Sequence, residues 1–272
     1  MQPTQEQLEL LKKCQLEILA EFVKVCEQLG LRYYLMWGTL LGAIRHQGYI
    51  PWDDDIDVGM PREDYEKFMK LGQKRLPKHM FIQSCFTDEE YLVYFSKIRN
   101  SNTTFIETLM GKMKINHGIF IDIYPIDNYP ENIKAARAIN KKAVLYDRRI
   151  MCEYIWTGSV SFKLKQMIKK MILGLFMPSV KKVACKREQL YKDIPSSKLC
   201  IIAGERKPTF AEWYGEGVDV FFEGMNLKAP KEWDKLLTHL YGDYMKLPPV
   251  EERVAHHDVD VIDVERPYTD YI

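Results

Sequence analysis

The amino-acid sequence predicts an α+β fold, a mixed β-sheet flanked by helices, with a mostly helical lobe attached. Three observations lead there. Residues 5–29 repeat apolar side chains at helical spacing; short apolar runs at 33–36 and 118–125 read as buried strands; residues 131–192 read as helix for most of their length. A chain of 272 residues, 46% of them apolar, has ample material for one large domain or for a core with an appended lobe. A net charge of +1 excludes a general affinity for nucleic acid. The N-terminus shows no signal pattern and no apolar run is long enough to span a bilayer, so a cytoplasmic location is expected. The six cysteines are scattered without Cys-x-x-Cys spacing, which suits reduced thiols and not a zinc site or a disulfide frame.

The elements follow in order. Leu8, Leu11, Ile18, Phe22, Val25 and Leu29 give the first helix its apolar face; Thr4 with Gln7 starts it as a capping box and Gly30 stops it. Tyr33–Met36 is the first strand. It ends at Gly38-Thr39, where a short helix opens with Leu40, Leu41 and Ile44 apolar and Arg45 and His46 near its end. The free N–H groups at such a helix start favour a phosphate, glycine lets it come close, and threonine adds a hydroxyl donor. Asp53-Asp54-Asp55-Ile56-Asp57-Val58 comes next. Alternate residues of a strand share a face, so Asp53, Asp55 and Asp57 stand together, with the strand expected to begin near Asp55. Stacked carboxylates repel unless a cation binds them, and hard oxygen ligands suit Mg²⁺ or Mn²⁺. A solvated acidic loop is the alternative.

Residues 62–73 read as a helix. Tyr91–Arg99 and Thr103–Glu107 read as two strands of a hairpin turned by Asn100-Ser101-Asn102. Lys97 and Arg99 share a face, either as a charged edge or as groups that neutralise a diphosphate. In Gly118–Pro125, Asp122 is a lone carboxylate in an apolar run. Burying it unpaired is costly, so a metal or a salt bridge is expected beside it. Asp127 is the second choice for that position, and His117 reads as a turn residue able to donate to a phosphate.

Between Ser161 and Arg187 there is no acidic residue, and lysines alternate with Met, Ile, Leu and Phe. Two readings stay open: helices packed on the core with a basic outer face, or a segment lying on an anionic membrane. Toward the C-terminus, Gly204-Glu205-Arg206-Lys207, Phe222-Glu223-Gly224-Met225, Ala229-Pro230 and Tyr241-Gly242-Asp243-Tyr244-Met245 suggest a short strand pair and a helix near 231–241. Arg253, His256 and His257 then follow as a solvated tail, an acceptor or phosphate contact, or a metal site.

Two pieces, Trp37-Gly38-Thr39-Leu40-Leu41-Gly42-Ala43-Ile44-Arg45 and Ile50-Pro51-Trp52-Asp53-Asp54-Asp55-Ile56-Asp57, resemble the LicD family, whose relatives include fukutin and fukutin-related protein. The Phe-Glu-Gly, Ala-Pro and Tyr-Gly-Asp-Tyr-Met elements are similar to the family's C-terminal part. Thr39 stands where many members of the wider nucleotidyltransferase fold carry Ser, which keeps the hydroxyl. The resemblance implies a nucleotidyltransferase-type sheet in a catalytic core over residues 1–130, a helical basic lobe over 131–200, and a part completing the domain over 201–272. It implies transfer of a phospho-alcohol, phosphocholine first among them, from a CDP-activated donor to a hydroxyl of a cell-surface glycan such as lipopolysaccharide or a teichoic acid precursor. CMP is released. Asp55, Asp57 and Asp122 would then hold Mg²⁺ or Mn²⁺ and carry the catalysis, and Gly38, Thr39, Lys97 and Arg99 would bind donor phosphates. Arg45, Asp53, His117, Asp127, Arg253, His256 and His257 are further candidates. A lipid-linked acceptor would place the protein on the inner face of the membrane, with contact through 161–187. An NTP-using nucleotidyltransferase and a non-catalytic glycan or membrane adaptor are the rival readings.

Overall fold

A computed structural model describes residues 3–154, 159–205 and 207–272; Arg206, part of the Gly-Glu-Arg-Lys element, lies outside them. Helix α1 (Gln5–Leu29) starts on the expected capping box, with Thr4 Oγ1 accepting from the Gln7 N–H and Gln7 Oε1 from the Thr4 N–H. It ends at Gly30 in the left-handed region. Its buried stripe, Leu8, Leu11, Ile18, Phe22 and Val25, packs on the sheet.

That sheet has seven strands: β1 (Tyr34–Leu35), β2 (Asp57–Pro61), β3 (Met80–Gln83), β4 (Ser96–Asn100), β6 (Ile119–Tyr129), β7 (Leu199–Ile202) and β8 (Thr209–Phe210). The order β1-β2-β6-β4-β3 is mixed, because β2 and β6 run parallel while the other pairs are antiparallel. Between β1 and β2 lies α2 (Trp37–His46), and α3 (Arg62–Leu71) follows β2. β6 is buried along most of its length, as its apolar run requires. Its second half takes β7 as partner, so the chain beyond residue 199 returns to the same sheet.

The expected 91–107 hairpin does not form. The first strand is shorter than expected, Ser96–Asn100, and both of its edges are taken, one by β3 and one by β6. A strand has two hydrogen-bonding edges, so β5 (Thr104–Glu107) turns away and pairs with the C-terminal β11 (Val259–Asp263). The strand pair β9 (Val218–Phe222) and β10 (Met225–Ala229) and the helix α7 (Trp233–Tyr241) stand where the sequence places them.

Three helices fill most of 131–192: α4 (Ile133–Met151), α5 (Val160–Phe176) and α6 (Val180–Glu188). α4 and α6 dock Ile150, Val183 and Ala184 against Tyr91, Leu92 and Met113 in a second apolar cluster. Arg62 ties α3 to this region. Its guanidinium donates to both Asp127 oxygens, at 2.6 and 2.8 Å, and to Glu188 at 2.6 Å. Asp127 is therefore a structural ion-pair partner at the far end of β6, not the third carboxylate of a metal site.

Candidate active site

The turn from β1 into α2 builds the site. The Met36 N–H donates to the Asp57 carbonyl, and the Asp57 N–H donates to Thr39 Oγ1 at 2.8 Å. Thr39 is buried, so its hydroxyl fixes the start of β2, two residues later than expected. Trp37 sits at φ 39°, a conformation rare outside glycine and often found at functional sites. Its indole donates to Glu205 at 2.7 Å and its ring meets Tyr124 edge-on at 4.6 Å. A Cβ on Gly38 would stand 2.6 Å from Asp53 Oδ2, so glycine is what lets the Asp53 carboxylate rest against the first turn of α2. Gly42 is needed in the same way where the Gly48 carbonyl crosses α2.

Register places the charges. Asp57 faces Asp122 across the parallel β2–β6 pair, and Asp122 faces Lys97 across β6–β4. Lys97 Nζ lies 2.9 Å from Asp122 Oδ1 and 3.3 Å over the Phe120 ring. Asp122 thus has its own buried cation. Among the described residues, Asp55 and Asp57 have none so close. Burial first, then the charge of Asp53, pushes the Asp55 carboxyl up to about 8. Burial and the charges of Asp55 and Asp122 push Asp57 well above the usual range. Asp53 rises to about 6, from burial and the Asp54 charge. Ligand atoms of Asp53, Asp54, Asp55 and His256 all lie within 4.8 Å of one another. Crowded, cation-poor carboxylates with cleft exposure fit a hard divalent ion.

Asp54 plays another part. It is fully buried and accepts the backbone N–H of His256 at 3.2 Å and of His257 at 3.1 Å, while Gln15 Nε2 donates to its carbonyl. Burial alone would lower the His257 pKa, but the Asp54 hydrogen bond and the charges of Glu107 and Asp55 raise it to about 9. The chain is therefore docked on Asp54 at His256 and His257 through their backbone N–H groups. His257 belongs to this clamp, whereas His256 stays exposed with Nδ1 3.5 Å from Asp53 Oδ1.

Asp53, Asp55 and Asp57 open into a cleft of about 380 Å³, whose other walls include Trp37, Arg45, Trp52, Tyr241 and Lys246. Arg45 donates to the Tyr244 carbonyl, and Arg253 lies over the Trp52 ring, near enough for its charge to join burial in lowering the Arg45 pKa. The cleft thus has an acidic wall and a basic rim. Lys97 and Arg99 are not on that rim. Arg99 is fully buried on Gln83, the Gly118 carbonyl and Glu107, and Lys97 is held by Asp122. His117 is likewise buried, with Nε2 2.9 Å from the Met113 carbonyl, and reaches no phosphate site. Sequence reasoning missed Lys246, Trp37, Trp52 and Tyr241. The Tyr-Gly-Asp-Tyr-Met element was a signal for the last of these, without saying what it faced.

Residues 30–155 match the family described as LicD/FKTN/FKRP, nucleotidyltransferase domain. Over 252 residues, 89% of this chain and 92% of the relative, the chain is 29% identical to the lipopolysaccharide cholinephosphotransferase LicD of Haemophilus influenzae. Over 42 residues it is 55% identical to the ribitol 5-phosphate transferase FKRP of Homo sapiens and of Mus musculus, a stretch covering 15% of this chain and 8% of theirs.

Proposed function

We propose that this chain, which carries a LicD-family domain, transfers a phospho-alcohol from a CDP-activated donor to a glycan hydroxyl, with phosphocholine as the group carried. The observation that carries this reading is the buried set Asp53, Asp55 and Asp57, in which Asp55 and Asp57 have no ion-pair partner among the described residues, and which faces a basic rim across one cleft. The site fits a donor that brings both a divalent ion and a diphosphate. Asp55 and Asp57 would hold Mg²⁺ or Mn²⁺, which when bound would neutralise diphosphate oxygens and the leaving CMP.

The protein's own groups do the rest. Arg45 and Lys246 bind diphosphate oxygens through charge-assisted hydrogen bonds, with Arg253 reinforcing the field. Trp37 and Trp52 offer aromatic faces for a base or a quaternary ammonium group. The acceptor hydroxyl attacks the distal phosphorus in line; a new P–O bond forms, the P–O bond to CMP breaks, and CMP departs. Asp53 takes the hydroxyl proton and passes it to the exposed imidazole of His256 and so to solvent.

Incubating the purified protein with Mg²⁺ and an acceptor glycan extract, with CDP-choline or with each NTP, tests this. CMP release from CDP-choline is expected. Pyrophosphate release from an NTP instead would favour a true nucleotidyltransferase, and donor binding without turnover would favour an adaptor.

A further inference from the structure

Helix α5 is built inside out. None of its residues is buried. The side turned toward the body carries Gln166, Lys170 and Leu173, with Lys163 half-buried at its margin, Lys170 paired to Glu153 and the Cys152 thiol 3.8 Å from Gln166 Oε1. The opposite side carries Leu164, Met167, Ile168, Met171 and Leu175, at spacings of three and four, each between 47% and 76% exposed. A cavity of about 1020 Å³ separates the flank of α5 from α4 and α6. Soluble helices turn such a stripe toward the core, and α6, nearby in the chain, does so with Val183 and Ala184.

We infer that α5 is an in-plane membrane helix, its outward apolar stripe entering the headgroup boundary of an anionic bilayer and its lysines meeting lipid phosphates. Charge selects this occupant. No acidic residue occurs from Ser161 to Arg187, and Lys163 and Lys165 flank the stripe on its two sides, where their long stems can lie along apolar surface with the ammonium groups at the headgroups. A second copy of the chain would bring like-charged lysines together. α5 spans 17 residues, about 25 Å at 1.5 Å per residue, and no described helix is long and apolar enough to cross a membrane. Such a helix lies in the surface plane. The inference does not depend on the donor or on catalysis, although a surface-bound enzyme would meet a lipid-linked acceptor without leaving the membrane.

Sedimentation with vesicles, without donor or acceptor, tests it. The full chain should pellet with phosphatidylglycerol-containing vesicles and not with pure phosphatidylcholine. Binding should weaken steeply as salt rises past about 0.1 M, where charges are screened over about 10 Å. Met171→Gln with Leu175→Gln, and separately Lys163→Gln with Lys165→Gln, should each weaken binding about tenfold. Both variants should melt as the parent does, because these side chains are exposed or at the margin. Absence of binding to anionic vesicles at low salt, or parental binding by both variants, would overturn the inference. So would a parent that is dimeric and becomes monomeric in Met171→Gln/Leu175→Gln, which would make the stripe a self-association surface.

Discussion

The carboxylate cleft and helix α5 depart from ordinary folding logic in opposite directions. In the cleft, Asp53, Asp55 and Asp57 are ionisable groups placed inside. Along α5, Leu164, Met171 and Leu175 are apolar groups left outside. Each arrangement costs free energy in the isolated chain, the first by desolvation and repulsion, the second by exposed hydrocarbon. The rest of the molecule shows what a satisfied version looks like. Asp122 has Lys97, Asp127 has Arg62, and α1 and α6 bury their apolar faces. The contrast teaches that both departures are local, and the two proposed partners, a cation in one case and a lipid surface in the other, would each offset one of them.

The largest effect is expected in the cleft. Asp57→Asn keeps the shape of the side chain and removes a charge; it should cut CMP release by about 10³-fold or more, roughly 4 kcal/mol of transition-state stabilisation. Asp127→Asn, in the satisfied pair with Arg62, should instead lower the melting temperature and leave turnover per folded molecule near parental. If the two variants lose turnover alike, the distinction between them fails. On the basic rim, Lys246→Ala should raise the donor KM about tenfold, read from initial rates of CMP release at varied donor.

A pH series sharpens the comparison further. Asp53 and Asp55 have folded-state pKa values of about 6 and about 8, raised by burial and by neighbouring carboxylates. A raised carboxyl means the folded state holds its proton more tightly. That contribution is fully present below the unfolded value of about 4 and is lost as pH rises through the folded values. In EDTA, the melting temperature should therefore fall between about pH 4 and pH 8, and the fall should shrink in Asp55→Asn. The smallest effect belongs to α5: Met171→Gln with Leu175→Gln should move the melting temperature by only a degree or two in vesicle-free buffer, because both side chains are mostly exposed.

Much of this was legible in the sequence where the reasons are local. The capping box at Thr4 and Gln7 and the strand–turn–helix through Gly38 follow from short-range patterns, whereas Asp55 lies before β2 and lines the cleft with Asp57 without strand alternation. The partners of charged residues did not follow. Lys97 and Arg99 share a face as alternation requires, yet whether that face meets solvent or Asp122 and Glu107 depends on strands that pair from elsewhere in the chain. The 91–107 hairpin failed for a related reason, since β3 and β6 already hold both edges of β4. The docking of His256 and His257 on Asp54 joins residues some two hundred positions apart, and no local pattern announces it. In the basic segment, composition left two readings open, and the outward turn of α5's apolar stripe, on which the membrane proposal rests, is visible only in the fold.

The central claim is that the acidic wall of the cleft is a cation site and not a set of satisfied structural carboxylates. Melting curves of the parent and Asp57→Asn, each in EDTA and in Mg²⁺, test it most directly. In EDTA the variant should melt at or above the parent, because the amide has no charge to desolvate or to set against its neighbours at any pH. Mg²⁺ at about a hundred times its Kd should stabilise the parent by about 2.7 kcal/mol, several degrees for a chain of this size, and the variant by clearly less. A variant that melts well below its parent in EDTA, with neither protein responding to Mg²⁺, would contradict the claim.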